Sequence, residues 1–549
     1  MEKNTGKDRL SRRHFIAGAA LATAGAATGL AGCTTPDASA DVPEKDFWLP
    51  DTWDYEADVV CTGYGGSGAV AALFANDKGS SVICLEKAPS EGGGSTRMAG
   101  GFLFWASDAD QGAKHLVALS ADTTPYEVAR AYCDQAMGLN DWITSLGIEL
   151  ANVSDSPSPE NPNVPYGEAI RGGNVTGQGP VLWEAIDTEV KAREGIQVLF
   201  DCTAHDLIQN PKTKEIIGVK ATLAGREINV KAKKAVALTT GGFMYNDEML
   251  ANFLRLYPFV SYGWRYNTGD GIKMAQKVGA ALWHTNFVTG RGTAWFADLE
   301  PAVAGFIGGT PGRPNYIFVD KYGKRYGNEK GLPSHSALLN MGDYDARKSE
   351  YTRIPMYLIF DETVRASGSG LCMQSGGCDL PVELGGNYRW SRDNLAEVER
   401  GWIKKSDTIE GLAEQLNLPS KSYEKFNITP VVDADNLKKA VERYNAACAA
   451  GFDDEFGTDE RYLAPLDNPP YYAMPLWPGC SDNPGGPRRN GKGQIVDPDH
   501  NPIPRLYGAG ANGAITGMLY VRNGAYLSDA LVFGQIIGIN MADETSWDE

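Results

Sequence analysis

The first chemistry legible in the chain lies in a run of glycines and one glutamate. Gly63-Tyr64-Gly65-Gly66-Ser67-Gly68 is a G-x-G-x-x-G, and Glu86 closes the apolar run that follows it. Backbone N–H groups at such a turn can hold a pyrophosphate: Gly63 allows the tight turn, Gly65 lets the backbone approach the phosphates, and a helix N-terminus faces their charge. A carboxylate about 20 positions on accepts hydrogen bonds from a ribose hydroxyl pair. Dinucleotide binding of this kind needs a strand, a helix and a second strand around the turn. Residues 59–61 are apolar and suit a buried strand, 69–76 are alanine-rich and suit a helix that Gly79 ends, and 82–85 are apolar again. Gly68 then lets helix and strand pack closely. A G-x-G-x-x-G alone is a common loop; its setting makes this one specific.

A second glycine loop follows, Gly92-Gly93-Gly94-Ser95 ending in Gly100-Gly101. A nicotinamide site has no need of another backbone-only loop just after the ribose carboxylate, so the choice moves to FAD. The arrangement resembles the FAD-binding domain of the fumarate reductase and succinate dehydrogenase flavoprotein family, which includes the ketosteroid dehydrogenases. That resemblance implies an α/β fold: a discontinuous, Rossmann-like FAD-binding domain with an inserted α+β capping domain. It also implies FAD contacts from Gly63, Gly65, Gly66, Ser67, Gly68, Glu86, Lys87, Gly93, Gly94, Ser95, Gly100 and Gly101. Farther along, Thr203-Ala204 resembles the family's adenine-contacting step. The run 235–242, with Thr240 and Gly241, resembles its return to the dinucleotide sheet. Thr268-Gly269-Asp270-Gly271 matches its T-G-D-G, in which the aspartate meets the sugar chain of the flavin. Gly508-Ala509-Gly510, Ala511 and a helix at 526–540 that includes Leu527 and Ser528 complete the set. The family's last helix points its N-terminus at the flavin pyrimidine ring, where it stabilises negative charge.

The resemblance spans about residues 55–542. It divides the chain into a first FAD-binding part at 55–286, a cap at 287–482, a second FAD-binding part at 483–542 and a tail at 543–549. The cap carries an apolar strand, a turn and a G-x-R-x-x-N-E at 317–329. Elsewhere the pattern predicts helices at 126–137, 181–192 and 436–449, a loop at 155–167, and strands at 197–200, 216–221, 228–231, 235–242 and 505–507.

Ahead of this lies an address. Ser11-Arg12-Arg13-His14-Phe15 resembles a twin-arginine export signal, and the apolar stretch at 17–32 is short and rich in small residues. Leu30-Ala31-Gly32-Cys33 resembles a lipobox, implying a lipid anchor at Cys33; a plain cleaved signal with a chance cysteine is the alternative. Residues 34–54 read as a tether. A net charge of −18 argues against nucleic acid or anionic membrane surfaces as partners. The nine cysteines include no C-x-x-C, so iron–sulfur and c-type haem attachment are not expected within this chain; Cys372 and Cys378 could pair.

Set against the family's substrate residues, the chain keeps one and departs from several. Arg522 falls on a family arginine, eleven residues after Ala511. The family's substrate histidine falls on Arg291. Its proton-donor arginine falls on Pro333, beside Ser334 and His335. Residues 481–486 hold no histidine, and Asp482 there would repel a second carboxylate. The candidates are therefore Arg522, Arg291 and His335, with a substrate of at most one carboxylate. Phe102, Phe104, Trp105, Trp283, Trp295 and Phe296 are either pocket or core. The expected activity is FAD-dependent reduction of an activated C=C bond, an enoate or enone, with electrons from a separate membrane-linked donor. A ketosteroid-type dehydrogenase using Tyr471, Tyr472 or Tyr520, and a flavin-carrying electron-transfer lipoprotein, are the alternatives.

Overall fold

A computed structural model describes residues 48–154, 161–299, 302–307, 313–331, 335, 337–374 and 388–548. The export motif, Cys33, Pro333, Ser334 and Cys378 lie outside those residues.

The glycine turn sits where the local sequence places it. Strand Tyr55–Thr62 enters it, helix Gly66–Asp77 leaves it, and strand Val82–Leu85 returns beside the first strand in parallel register, Val59 opposite Val82 and Thr62 opposite Leu85. Gly79 ends the helix at φ +89°, donating to Asn76 O at 2.8 Å. Strand Ile196–Leu199 extends the sheet on one side; Arg226–Leu238 and Pro502–Gly508 extend it on the other, all in parallel. Strands Cys202–Gln209 and Ile216–Leu223 branch off as an antiparallel meander.

Two strands expected at 228–231 and 235–242 are one, Arg226–Leu238. The polar pair Lys233-Lys234, which interrupts the apolar pattern, is absorbed by a register shift opposite Ala57 and Val59, so the meander runs straight into the dinucleotide sheet. The last helix, Ala525–Ala542, is buried along nearly its whole length and lies against the first. Gly538 allows that approach: a Cβ there would stand 2.6 Å from Ala71 O. Arg489 reaches Asp529 on this helix at 2.6 and 2.7 Å, both side chains buried. Asp529 is therefore paired with Arg489 and not with Arg522.

A second sheet is ordered Tyr316–Val319, Met356–Asp361, Tyr471–Cys480, Gly292–Phe296, Val303–Ile307 and Cys372–Gln374, with the short strand Val260–Ser261 beside Tyr471–Cys480. The R-x-x-N-E of the sequence is a buried knot here: Arg325 bonds Glu329 at 3.1 Å and Asp453 at 2.7 Å. Phe104, Trp105 and Trp283 belong to the core around the two long helices, and Phe296 to the core of the second sheet; of the six aromatics in question only Phe102 reaches the cleft described next.

Candidate active site

One cleft of about 1480 Å³, partly open to solvent, runs from the glycine turn to the second sheet. At its closed end Gly63 holds φ +129°, and a Cβ there would meet Thr239 O at 2.4 Å. Gly68 stands behind the wall, where a Cβ would fall 1.9 Å from Gly63 O. Gly65 differs: its nearest neighbour to an added Cβ is 3.6 Å away, in Gly93, to which it is bridged. The two glycine loops therefore face each other across open backbone.

Glu86 is oriented by the backbone itself, accepting from Tyr64 N–H at 2.9 Å and from Ala88 N–H at 2.8 Å. Burial pushes its carboxyl above the usual range, and those N–H groups oppose the shift. Lys87 Nζ meets Asp270 at 2.9 Å and donates to Thr268 Oγ1 at 2.6 Å, so it clips the T-G-D-G to the end of the second strand. Asn267 Nδ2 donates to Ser95 Oγ at 3.0 Å.

Gly63, Gly65, Gly66, Ser67, Glu86, Lys87, Gly94, Ser95, Gly100, Ala204, Thr240, Gly241, Asp270, Ala511 and Leu527 all line the cleft. Gly68, Gly93, Gly101, Gly510 and Ser528 are not on its wall. Gly93, Gly101 and Gly510 hold positive φ just behind it, and Ser528 Oγ is occupied accepting from Phe104 N–H at 2.8 Å.

Arg291 and His335 are brought together at the other end, forty-four residues apart in sequence. Arg291 Nη2 donates to His335 Nε2 at 3.0 Å. Arginine cannot accept, so that nitrogen is unprotonated and the imidazole is neutral with its proton on Nδ1. The His335 ring lies 4.4 Å from the Tyr520 ring, and Tyr520 OH accepts from Gly524 N–H at 3.2 Å. Tyr526 lies beyond, 5.7 Å from Tyr520.

Thr289 donates to Asp482 O at 2.9 Å and accepts from Ser481 N–H at 3.0 Å, an antiparallel bridge that puts Thr289 and Asp482 on one face. Arg291, two residues on, shares it. Burial pushes the Asp482 carboxyl up to about 7; Asn483 N–H, donating at 2.9 Å, opposes the shift. The sequence showed Asp482 only as a repulsive charge and gave no sign of Thr289 or Tyr526; a carboxylate two residues after the buried run Tyr471–Cys480 was the available signal.

Arg522 is not on the cleft wall. Its guanidinium lies against the backbone of Gly172, where a Cβ would stand 2.5 Å from its Cζ, and its Nη1 is buried with no partner among the described residues. Burial lowers its pKa. Tyr471 and Tyr472 also lie away from the cleft, and Tyr472 OH donates to Glu362 at 2.6 Å.

The sequence profile of the FAD binding domain matches residues 58–525. The chain belongs to this FAD-binding family. It is 26% identical to a 3-oxosteroid 1-dehydrogenase of Mycolicibacterium smegmatis, over 89% of this chain and 97% of that one. It is also 26% identical to a vinyl phenol reductase of Lactiplantibacillus plantarum, again over 89% and 97%. Its fold is that of a 3-ketosteroid delta1-dehydrogenase from Sterolibacterium denitrificans, solved with 1,4-androstadiene-3,17-dione: TM-score 0.73, 20% identity, 89% of this chain and 99% of that one.

This flavoprotein is an FAD-dependent oxidoreductase. Its residues fit the cofactor on their own geometry. The facing loops at Gly65 and Gly94 leave room that side chains would fill, Glu86 is already fixed by two N–H groups, and the Gly524–Leu527 turn presents a helix N-terminus to the cleft.

Proposed function

We propose that this flavoprotein reduces a C=C bond conjugated to a carbonyl or a single carboxylate, bound where Arg291, His335, Tyr520 and Asp482 converge. The carrying observation is that one cleft joins the dinucleotide loops to this polar end and that Arg291 is the arginine on its wall. The bound flavin supplies the electron pair and one hydrogen. Arg291 holds the substrate oxygen with a guanidinium that His335 orients, and Tyr520 OH, which accepts from Gly524 N–H, offers a further donor for the charge that builds on that oxygen. Phe102, Trp264 and Tyr266 line the cleft and give it apolar surface. The relatives named above include a reductase of vinyl phenol, whose C=C bond is conjugated to an aromatic ring, and a dehydrogenase of 3-oxosteroids, which supports reading the same residues in either direction. The dehydrogenase reading keeps Tyr520 but not Tyr471 or Tyr472.

We divide the chain at 55–286, 287–482 and 483–542, so that the capping segment contributes Thr289, Arg291, His335, Ser481 and Asp482 to the wall. Export by the twin-arginine motif, a lipid anchor at Cys33 and electrons from a separate membrane-linked donor complete the reading; they rest on residues 11–33 and on the absence of a haem motif in the sequence.

The test is anaerobic. Holoprotein with its flavin reduced is mixed with acrylate, cinnamate, 4-vinylphenol or androst-4-ene-3,17-dione, and reoxidation is followed by absorbance. Fast reoxidation by at least one conjugated alkene is expected; none by any of them refutes the reading.

A further inference from the structure

The site as described holds and polarises a substrate oxygen, but it leaves one requirement unmet. Reducing C=C adds an electron pair and a hydrogen to one carbon from the reduced flavin, and the neighbouring carbon must gain a proton from the protein. The π bond is consumed and two C–H bonds form. His335 is poorly placed to give that proton, because its Nε2 is held as an acceptor by Arg291.

We propose that Asp482 is the acid of this reaction: its carboxyl O–H supplies the proton, and the carboxylate left behind is reprotonated from water. This rests on the double-bond reading given above. Four observations support it. Asp482 lines the cleft on the same strand-pair face as Arg291, so a substrate held by the guanidinium lies along the wall that carries the carboxyl. It is 9% exposed, with no cation paired to it among the described residues, and it accepts a hydrogen bond from the adjacent Asn483 N–H. Arg291, the nearby candidate partner, is turned instead to His335. Thr289, its bridge partner, and Tyr526 put hydroxyl-bearing side chains on the wall that it lines. A carboxyl so placed is kept neutral by desolvation, with its value pushed up to about 7, which suits an acid working near neutrality. The titratable groups at this part of the cleft are Cys480, Tyr526, Tyr520, Arg291 and, hydrogen-bonded to Arg291, His335. Cys480, two residues before it, is pushed up to about 12 and Tyr526 on the last helix well above its usual value, while Arg291 on the same strand-pair face and Tyr520 line the same cleft.

The experiment compares wild type with Asp482→Asn, which keeps shape and polarity but carries no acidic proton. Both holoproteins are reduced and reoxidised with the same four compounds. The variant is expected to reoxidise about a hundredfold or more slowly, with flavin content and thermal midpoint unchanged and kcat affected more than KM. Because the neutral form is the donor, the wild-type rate falls as pH rises through about 7, and this limb is absent in Asp482→Asn but present in His335→Gln. A readout free of turnover is the infrared pH-difference spectrum of the oxidised holoprotein. Wild type shows a protonated-carboxyl band that fades through the same range, and Asp482→Asn lacks it. Equal reoxidation of wild type and variant overturns the proposal while leaving the double-bond reading intact, as does a missing band at mildly acidic pH. The band is measured on wild type, so it decides the matter even if the variant loses flavin. If no compound reoxidises the wild type, the double-bond reading fails and takes this proposal with it.

Discussion

Gly65 and Gly68 stand three residues apart in one motif and do opposite work. Gly68 is filled from behind, with Gly63 O where its Cβ would go, whereas the space over Gly65 is open. Gly68→Ala is therefore expected to lower the thermal midpoint and the yield of folded protein. Gly65→Ala, at an ordinary φ of −100°, is expected to fold and melt like wild-type protein freed of flavin, yet to bind no FAD. Flavin content and thermal midpoint of the two variants check this; loss of fold in Gly65→Ala would show that its role is structural. Arg522 poses a related question. A buried guanidinium nitrogen without a partner among the described residues is unfavourable, and the buried carboxylate Asp529 is paired with Arg489 instead. Arg522→Ala is thus expected to keep flavin content and thermal midpoint and, because the guanidinium lies off the cleft wall, to leave substrate-driven reoxidation within a few-fold of wild type; a loss of about a hundredfold confined to reoxidation would return Arg522 to the substrate site. Parallel loss of all three would make Arg522 a structural residue.

Among the elements, the last helix matters most to the site. Its N-terminus, Gly524 to Leu527, forms part of the cleft wall, and its length is set against the first helix by glycine contacts and by the Arg489–Asp529 pair. Breaking a buried pair by removing one partner leaves a charge uncompensated, at a cost of about 3–5 kcal/mol. Arg489→Met should lose that much stability and release flavin; Asp529→Asn in the same chain should recover part of it by removing the stranded charge. Denaturant midpoints and flavin content of the single and double variants test the coupling. No recovery in the double variant would mean that the pair does not hold the helix. The strand Tyr471–Cys480 plays the matching part on the other side, because its far end delivers Ser481 and Asp482 to the wall.

For the whole molecule, the remaining prediction concerns place. If Cys33 is lipidated, Cys33→Ala leaves export intact and releases soluble holoprotein, read by fractionation and flavin absorbance. A variant that stays with the membrane would rule out the anchor. The long apolar helix Ala525–Ala542 does not confuse this test, because it is buried within the protein.

The dinucleotide half was legible in the chain because its information is local. A glycine that must turn, one that must admit phosphate and a carboxylate at the end of the next strand are all set within thirty residues, and backbone sterics impose the spacing. The resemblance carried the division into flavin and cap regions. What only the tertiary structure decided is the wall at the substrate end. Arg291, His335, Asp482 and Tyr520 come from separate elements and meet through strand pairing over long sequence distances. The buried run just before Asp482 hints locally that it is not a solvated aspartate, but its raised affinity for a proton comes from desolvation in the folded protein. Position in the chain likewise put Arg522 at the site and left Tyr526 out. Packing turns the first toward Gly172 and places the second on the wall.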